Sequence, residues 1–201
     1  MPPNARPGPH PGPPADFATR ALPLVAVAGP LYRVHRRQHH PLHFGRSGDN
    51  RFDDAQRKYG VLYAATTPEG AFIETFAEPL QAGFVTQALL NARKLSTLSP
   101  RGPLRLVDLD GRELRRLGAD ARLLSGPHEV AQRWSRAAHD HPQAPDGLRY
   151  PARHDPTRYA VALFERARAA LTAQVATEVL GAAANRALLA GLLERYGLGL
   201  L

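Results

Sequence analysis

Hydrophobic positions are sparse over residues 1–20, where Pro2, Pro3, Pro7, Pro9, Pro11, Pro13 and Pro14 recur. A segment of this kind buries too little apolar surface to offset the entropy of ordering it, so residues 1–20 are read as a flexible tail and residues 21–201 as one folded domain. The apolar run begins near Leu22, breaks at Gly29-Pro30 and resumes over residues 31–35, which read as the first strand. Residues 38–58 are polar and turn-rich and predict a long loop, a feature that is often functional inside a compact domain. Residues 60–65 (GVLYAA) are apolar and β-prone and predict a buried strand.

A helix start follows. Thr67 suits the N-cap, Pro68 the first helical position and Glu69 the first turn. The helix carries Ala71, Phe72, Ile73, Glu74 and Phe76, and Pro79 is expected to stop it. Residues 104–109 alternate as a strand does and close at Asp110-Gly111. Short helices are expected over 112–117 and 128–139, the second with Val130, Trp134 and Ala138 at helical spacing, which makes Trp134 a core residue. Strands are expected at 148–150 and 159–164. A final helix over 182–196 carries Leu188, Leu189, Leu192 and Leu193, with Gly197 as its C-terminal cap. Strands and helices are interspersed without regular βαβ alternation, so the fold class is α+β, a single mixed domain.

Composition narrows the function classes. The sequence has no cysteine, which excludes disulfides and thiolate metal sites and fits a cytoplasmic protein. No stretch reaches the length of a membrane-spanning helix, and the Pro/Gly-rich N-terminus lacks the apolar run of a secretory signal, so no membrane association is expected. Formal net charge is +8, supplied mostly by arginine, which favours contact with phosphate in a nucleotide, a nucleic acid or an acidic partner.

Candidate chemistry concentrates between Tyr32 and Glu78. Arg33 falls in a strand, Arg51 in the long loop, Tyr63 in the next strand and Glu74 in the helix after it. A carboxylate flanked by Phe72, Ile73 and Phe76 needs a partner or a purpose, because burying it alone is unfavourable. A structural ion pair of Glu74 with Arg33 or Arg51 is one reading, and a functional carboxylate is the other.

These blocks resemble a known family. LYRVHR, SGDNRF, VLYAATTPEGAFIETF, DGLRYPARHD and YAVALF, in this order, look like the successive blocks of the RES domain over residues 31–165, with the C-terminal helix included. The resemblance implies an ADP-ribosyltransferase-like fold. It also implies a protein that destroys NAD+ by phosphorolysis or hydrolysis, typically as the toxin of a bacterial toxin–antitoxin pair. NAD+ would then be a substrate, with inorganic phosphate as a co-substrate of phosphorolysis and no resident cofactor. The implied partner is a separate antitoxin with a helix-turn-helix domain, and a second copy of the chain is a further candidate. Carried over by position, Arg33, Arg51, Tyr63 and Glu74 match the family's site residues, and Arg153 joins them. Glu74 and Arg33 are the implied catalytic pair. The family serine is replaced here by Ala152, in Tyr150-Pro151-Ala152-Arg153, with His154 and Asp155 following directly as candidate substitutes. A catalytically weakened NAD+ or nucleotide-binding module and an ADP-ribosyltransferase are the alternatives.

Each residue type suits a part of NAD+. Arginine presents a planar fork to phosphate. The face of Tyr63 can stack on the cationic nicotinamide. Breaking the N-glycosidic bond develops positive charge on the ribose, which a fixed carboxylate can stabilise. Other signals carry less. His35 and His39 would share a helical face at a metal-binding spacing, but Arg36 and Arg37 oppose a cation, so no metal site is expected. The same run lacks the interleaved aromatics of a nucleic-acid surface, and direct nucleic-acid binding is not expected. Gly45-Arg46-Ser47-Gly48 lacks the ending of a phosphate loop and reads instead as a flexible arm delivering Arg46 or Arg51.

Overall fold

The computed structural model of the chain describes residues 10–76 and 82–201. The strands are β1 (Leu24–Val27), β2 (Leu31–Arg36), β3 (Val61–Ala65), β4 (Phe84–Val85), β5 (Arg93–Pro100), β6 (Leu104–Asp108), β7 (Gly147–Ala152), β8 (Asp155–Phe164), β9 (Leu171–Gln174) and β10 (Gly199–Leu200). The helices are α1 (Pro68–Thr75), α2 (Gln87–Asn91), α3 (Gly111–Leu117), α4 (Arg122–Ser125), α5 (His128–His139) and α6 (Arg186–Arg195). Eight strands form one sheet in the order β1-β6-β7-β8-β3-β2-β5-β9, and β4 pairs with β10 apart from it. This is the mixed single domain expected of the pattern.

Within the large sheet every pairing is antiparallel except β6 with β7. A parallel pair cannot be joined by a tight turn. The crossover is supplied by α3, α4 and α5, which lie between those two strands in sequence. β8 sends Ala160, Ala162 and Phe164 to one face of the sheet, into the cluster with Trp134 and Leu123. It sends Val161 and Leu163 to the other, with Leu31, Leu62 and Leu98. Burial on both faces explains why YAVALF reads as a continuous apolar run rather than an alternating one. A third cluster joins α1 to α6 through Phe72, Phe76, Leu189 and Leu192.

Local signals map well onto this frame. Thr67 caps α1 by accepting from the Gly70 amide at 3.1 Å, with Pro68 at the first turn. Gly197 follows α6 at φ +61°, where Leu198 N donates to Leu193 O (2.9 Å) and Gly197 N to Glu194 O (3.2 Å), the paired bonds of a Schellman cap. Trp134 is 3% exposed, as its helical spacing required.

Other expectations change. The apolar run at 24–27 is itself a strand, so β2 is the second strand and not the first. The final helix begins later than expected, because residues 183–185 form a separate 3-10 turn. The tail expectation fails for residues 10–20. His10 and Phe17 are buried, Phe17 packs edge-on against Trp134 at 5.4 Å, and Trp134 Nε1 donates to Pro11 O at 3.0 Å. Two buried side chains and one backbone carbonyl suffice to anchor a stretch whose overall composition is poor in apolar residues. Residues 1–9, and the expected stop at Pro79, lie outside the described residues.

Candidate functional site

β2 and β3 are neighbours in the sheet, yet they pair in register only at Tyr32 and Ala65. Between them opens a cleft of about 360 Å³. Arg33 reaches it from β2, Tyr63 from β3, Glu74 from α1, Arg51 from the long loop and Arg153 from the turn after β7. All five sequence candidates therefore line one cavity. Tyr32, Asn50, His128 and Tyr150 line it too and were not singled out as ligand contacts. His154, named as a substitute for the missing serine, is at the cleft. Asp155 is not among the lining residues, and its Oδ2 accepts from Tyr196 Oη at 3.0 Å.

The Glu74 side rests on regular structure. Ala71, Phe72 and Ile73 are buried beneath α1, which turns Glu74 toward the cleft, half-buried. Glu74 forms no ion pair within 4 Å among the described residues, so the structural pair with Arg33 or Arg51 is not made. Its Oε1 accepts one hydrogen bond, from the Arg153 amide at 2.7 Å. The β7–β8 register shifts at Pro151/Ala152, immediately before the residue whose amide meets Glu74. Burial pushes the Glu74 carboxyl above its ordinary pKa, and the Arg153 amide and the charges of Arg153 and Arg51 offset this only in part. The result is an ionisable carboxylate in a partly desolvated position, which is the kind of group catalysis uses.

The Arg51 side rests on side-chain tethers. Asp53, 2% exposed, accepts at Oδ2 from Ser47 Oγ (2.8 Å), Gly48 N (3.1 Å), Asn50 N (3.2 Å) and Asn50 Nδ2 (3.0 Å). Its Oδ1 accepts from Tyr63 Oη at 3.0 Å, and that hydroxyl accepts from Phe52 N at 3.0 Å. From α5, Gln132 Nε2 donates to Gly48 O and Asn50 O, Ser135 Oγ donates to Phe52 O, and Arg136 pairs with buried Asp54. The flexible-arm expectation for this loop is thus corrected: it is pinned by contacts about 80 residues away in sequence. Asp53, Asp54 and the polar face of α5 are the positioning residues that sequence reasoning missed. The signal was two aspartates flanked by Phe52 and Tyr59, which burial would leave in need of donors.

Arg51 Nη1 donates to Gly126 O (2.8 Å) and Leu123 O (3.3 Å), and Arg33 Nη1 to Pro41 O (2.6 Å) and His43 O (2.8 Å). These arginines are held by carbonyls rather than carboxylates, so their charge is left for a ligand. Burial lowers the Arg33 pKa to about 10, which still leaves it cationic at neutral pH. Three arginines face one carboxylate across the cleft, an arrangement suited to an anionic ligand with one developing cationic centre.

The other signals settle elsewhere. Arg46 pairs with Glu165 at 2.6 Å and does not line the cleft. His35 sits on strand β2, not on a helix, and is buried with Nε2 at 2.9 Å from Ser96 Oγ. Ala152 is 1% exposed and lines a neighbouring cavity rather than the cleft. Among the described residues, no helix is long and apolar enough to cross a membrane.

A family model described as RES domain matches residues 30–184. Among solved structures, this chain is similar to a chain of the M. tuberculosis MbcT-MbcA toxin-antitoxin complex, with a TM-score of 0.67 and 16% identity over 85% of this chain and 92% of that one. At that identity the likeness speaks to the fold alone. No curated protein matches by sequence.

Proposed function

The chain belongs to the RES domain family, and from that membership we propose that it degrades NAD+ by cleaving the nicotinamide–ribose bond. The observation that carries the reading is the convergence of Arg33, Arg51, Tyr63, Glu74 and Arg153 on one cleft. Each then has a distinct task. The arginines hold the pyrophosphate. Tyr63 has its hydroxyl engaged by Asp53 and Phe52, so its ring is what it offers the nicotinamide. Glu74 faces the ribose, where its carboxylate stabilises the positive charge that grows as the bond to nitrogen lengthens. The bonding pair leaves with the nicotinamide nitrogen, and an oxygen of phosphate or water bonds to the ribose carbon. The surplus of cations over Glu74 favours phosphate as the nucleophile.

The test is incubation of the purified protein with NAD+, with and without inorganic phosphate. Phosphorolysis yields ADP-ribose carrying a new phosphate, and hydrolysis yields ADP-ribose itself. NAD+ left intact under both conditions sinks the catalytic reading. Label from NAD+ on a macromolecule would instead indicate ADP-ribosyl transfer.

The family and the toxin-antitoxin setting of the similar structure support reading this chain as a toxin acting in the cytoplasm. Its partner would be an antitoxin, with a helix-turn-helix domain in the family pattern. Co-expression of the adjacent reading frame, scored as rescue of growth, tests this. The replacement of the family serine by Ala152 favours a second reading, binding without turnover. Its signature is a Tm raised by NAD+ with no product formed. Against it, Ala152 is not among the residues that line the cleft and belongs instead to the wall of the neighbouring cavity.

A further inference from the structure

The cleft, at about 360 Å³, lies near the lower end of the roughly 300–1,000 Å³ typical of small-molecule sites, and a dinucleotide is a large ligand. A second cavity of about 730 Å³ adjoins it and shares Leu124, Pro151 and Arg153 as common wall. Its lining is mainly apolar, with Leu114, Ala121 and Pro156 among the contributors, and Asp110 supplies a carboxylate. Asp110 Oδ2 accepts from Tyr159 Oη at 2.5 Å, while Oδ1 has no partner among the described residues. Arg153 is exposed and its guanidinium makes no ion pair among the described residues.

We propose that the second cavity holds the adenosine half of the dinucleotide, with Arg153 at the divide gripping the pyrophosphate. The inference rests on the reading of the cleft as a NAD+ site. Two cavities separated by a cation match a ligand with two nucleosides joined by an anionic linker. An apolar chamber takes the purine ring, and the free oxygen of Asp110 accepts from its exocyclic amine, a donor that would otherwise lose its water on burial. On this arrangement α3 and the residues flanking it, Asp110 and Ala121 among them, select the dinucleotide over a mononucleotide.

The experiment is calorimetric titration of the full chain with NAD+ and with nicotinamide mononucleotide, which keeps the scissile bond and lacks the adenosine. Wild type is expected to bind NAD+ at least about tenfold more tightly. Ala121→Trp, which fills the second cavity from an exposed position, is expected to cut the NAD+/mononucleotide affinity ratio about tenfold. Asp110→Ala, which adds no bulk, is expected to cut it about threefold and decides the matter if the tryptophan variant does not fold. A ratio unchanged in the folded variants, or a wild type that binds both ligands equally, overturns the adenosine site and leaves the cleft reading standing. A wild type that binds neither ligand and consumes no NAD+ removes the cleft reading, and the adenosine site with it.

Discussion

Glu74 and Arg51 face the same cleft from supports of different kinds. Glu74 stands on α1, whose buried Phe72 and Ile73 each contribute about 1.5–3 kcal/mol of hydrophobic stabilisation. Arg51 stands on a loop without helix or strand around it, fixed by a set of tethers from Tyr63, Gln132, Ser135 and Arg136. A neutral hydrogen bond of this kind contributes about 0.5–1.5 kcal/mol. One wall therefore depends on a few large terms made by neighbours in sequence. The other depends on many small terms made across the chain, with one buried ion pair among them. The first wall should be lost by disrupting its core, whereas the second should loosen by degrees.

The largest effect is expected where the rigid wall meets the chemistry. Glu74→Gln keeps an acceptor for the Arg153 amide and removes the charge. On the proposed activity, kcat should fall about 10²–10³-fold. Stability should move the other way. The carboxyl pKa is raised in the folded protein, so its contribution is present below the ordinary carboxylate range and is lost as pH rises through the raised value. Above the raised value the wild type holds an ionised group against its own burial, and glutamine should raise Tm there. The acid limb of the wild-type activity should correspondingly lie above the ordinary carboxylate pKa. A variant with full activity, or one with a lower Tm above the raised value, breaks the functional account of Glu74.

Next in size is the ion pair of the loop wall. Arg136→Ala leaves Asp54, whose side chain is 2% exposed, without its cation. Removing one member of a buried pair typically costs about 3–5 kcal/mol, and the lower end applies because Arg136 is itself 24% exposed. Asp54 has a lowered pKa, so this contribution is present above the ordinary carboxylate range and is lost as pH falls below it. Urea unfolding at pH 7 and again below pH 4 should show the wild type–variant gap closing in acid. A gap that stays constant would assign the loss to packing instead of charge.

The same contrast explains what could be read in advance. The Thr67-Pro68 start of α1, the strand at Tyr63 and the apolar face of α5 depend on residues close together in sequence, and they stand where the pattern put them; on α6, Leu189 and Leu192 are buried as expected while Leu188 is exposed. The candidate residues were legible for the same reason, each lying in an interpretable block. The pinning of residues 48–54 was not, because Gln132 and Gly48 are 84 positions apart and nothing in either segment names the other. β5 was also missed. Its sequence, RKLSTLSP, holds two aliphatic residues, and it is a strand because β2 and β9 pair with it on both sides. Tertiary pairing there overrides a weak local preference.

A smaller effect tests one tether alone. Tyr63→Phe keeps the ring and removes the hydroxyl that joins Asp53 to the Phe52 amide. Stability should fall by about 1 kcal/mol, and KM for NAD+ should rise about two- to tenfold as Arg51 loses definition, with kcat changing less. Equal losses in kcat and kcat/KM would mean that the hydroxyl acts in the transition state and not through the loop.

The smallest effect belongs to the rigid wall again, at a position away from the chemistry. Thr67→Ala removes the side chain that accepts from Gly70 N and frees one amide at the start of α1. Cap losses of this type cost about 1 kcal/mol. In a domain of this size that is a Tm lower by roughly 2–4 °C. Ala71, Phe72 and Ile73 stay buried in the variant, so the direction of Glu74 should survive and activity at room temperature should hardly change. This outcome would separate the two walls cleanly, since a comparable loss at Tyr63 is expected to alter KM. If Thr67→Ala instead weakens NAD+ affinity as much as Tyr63→Phe does, then α1 is itself held marginally. The contrast between a wall made by its core and a wall made by its tethers would then have to be abandoned.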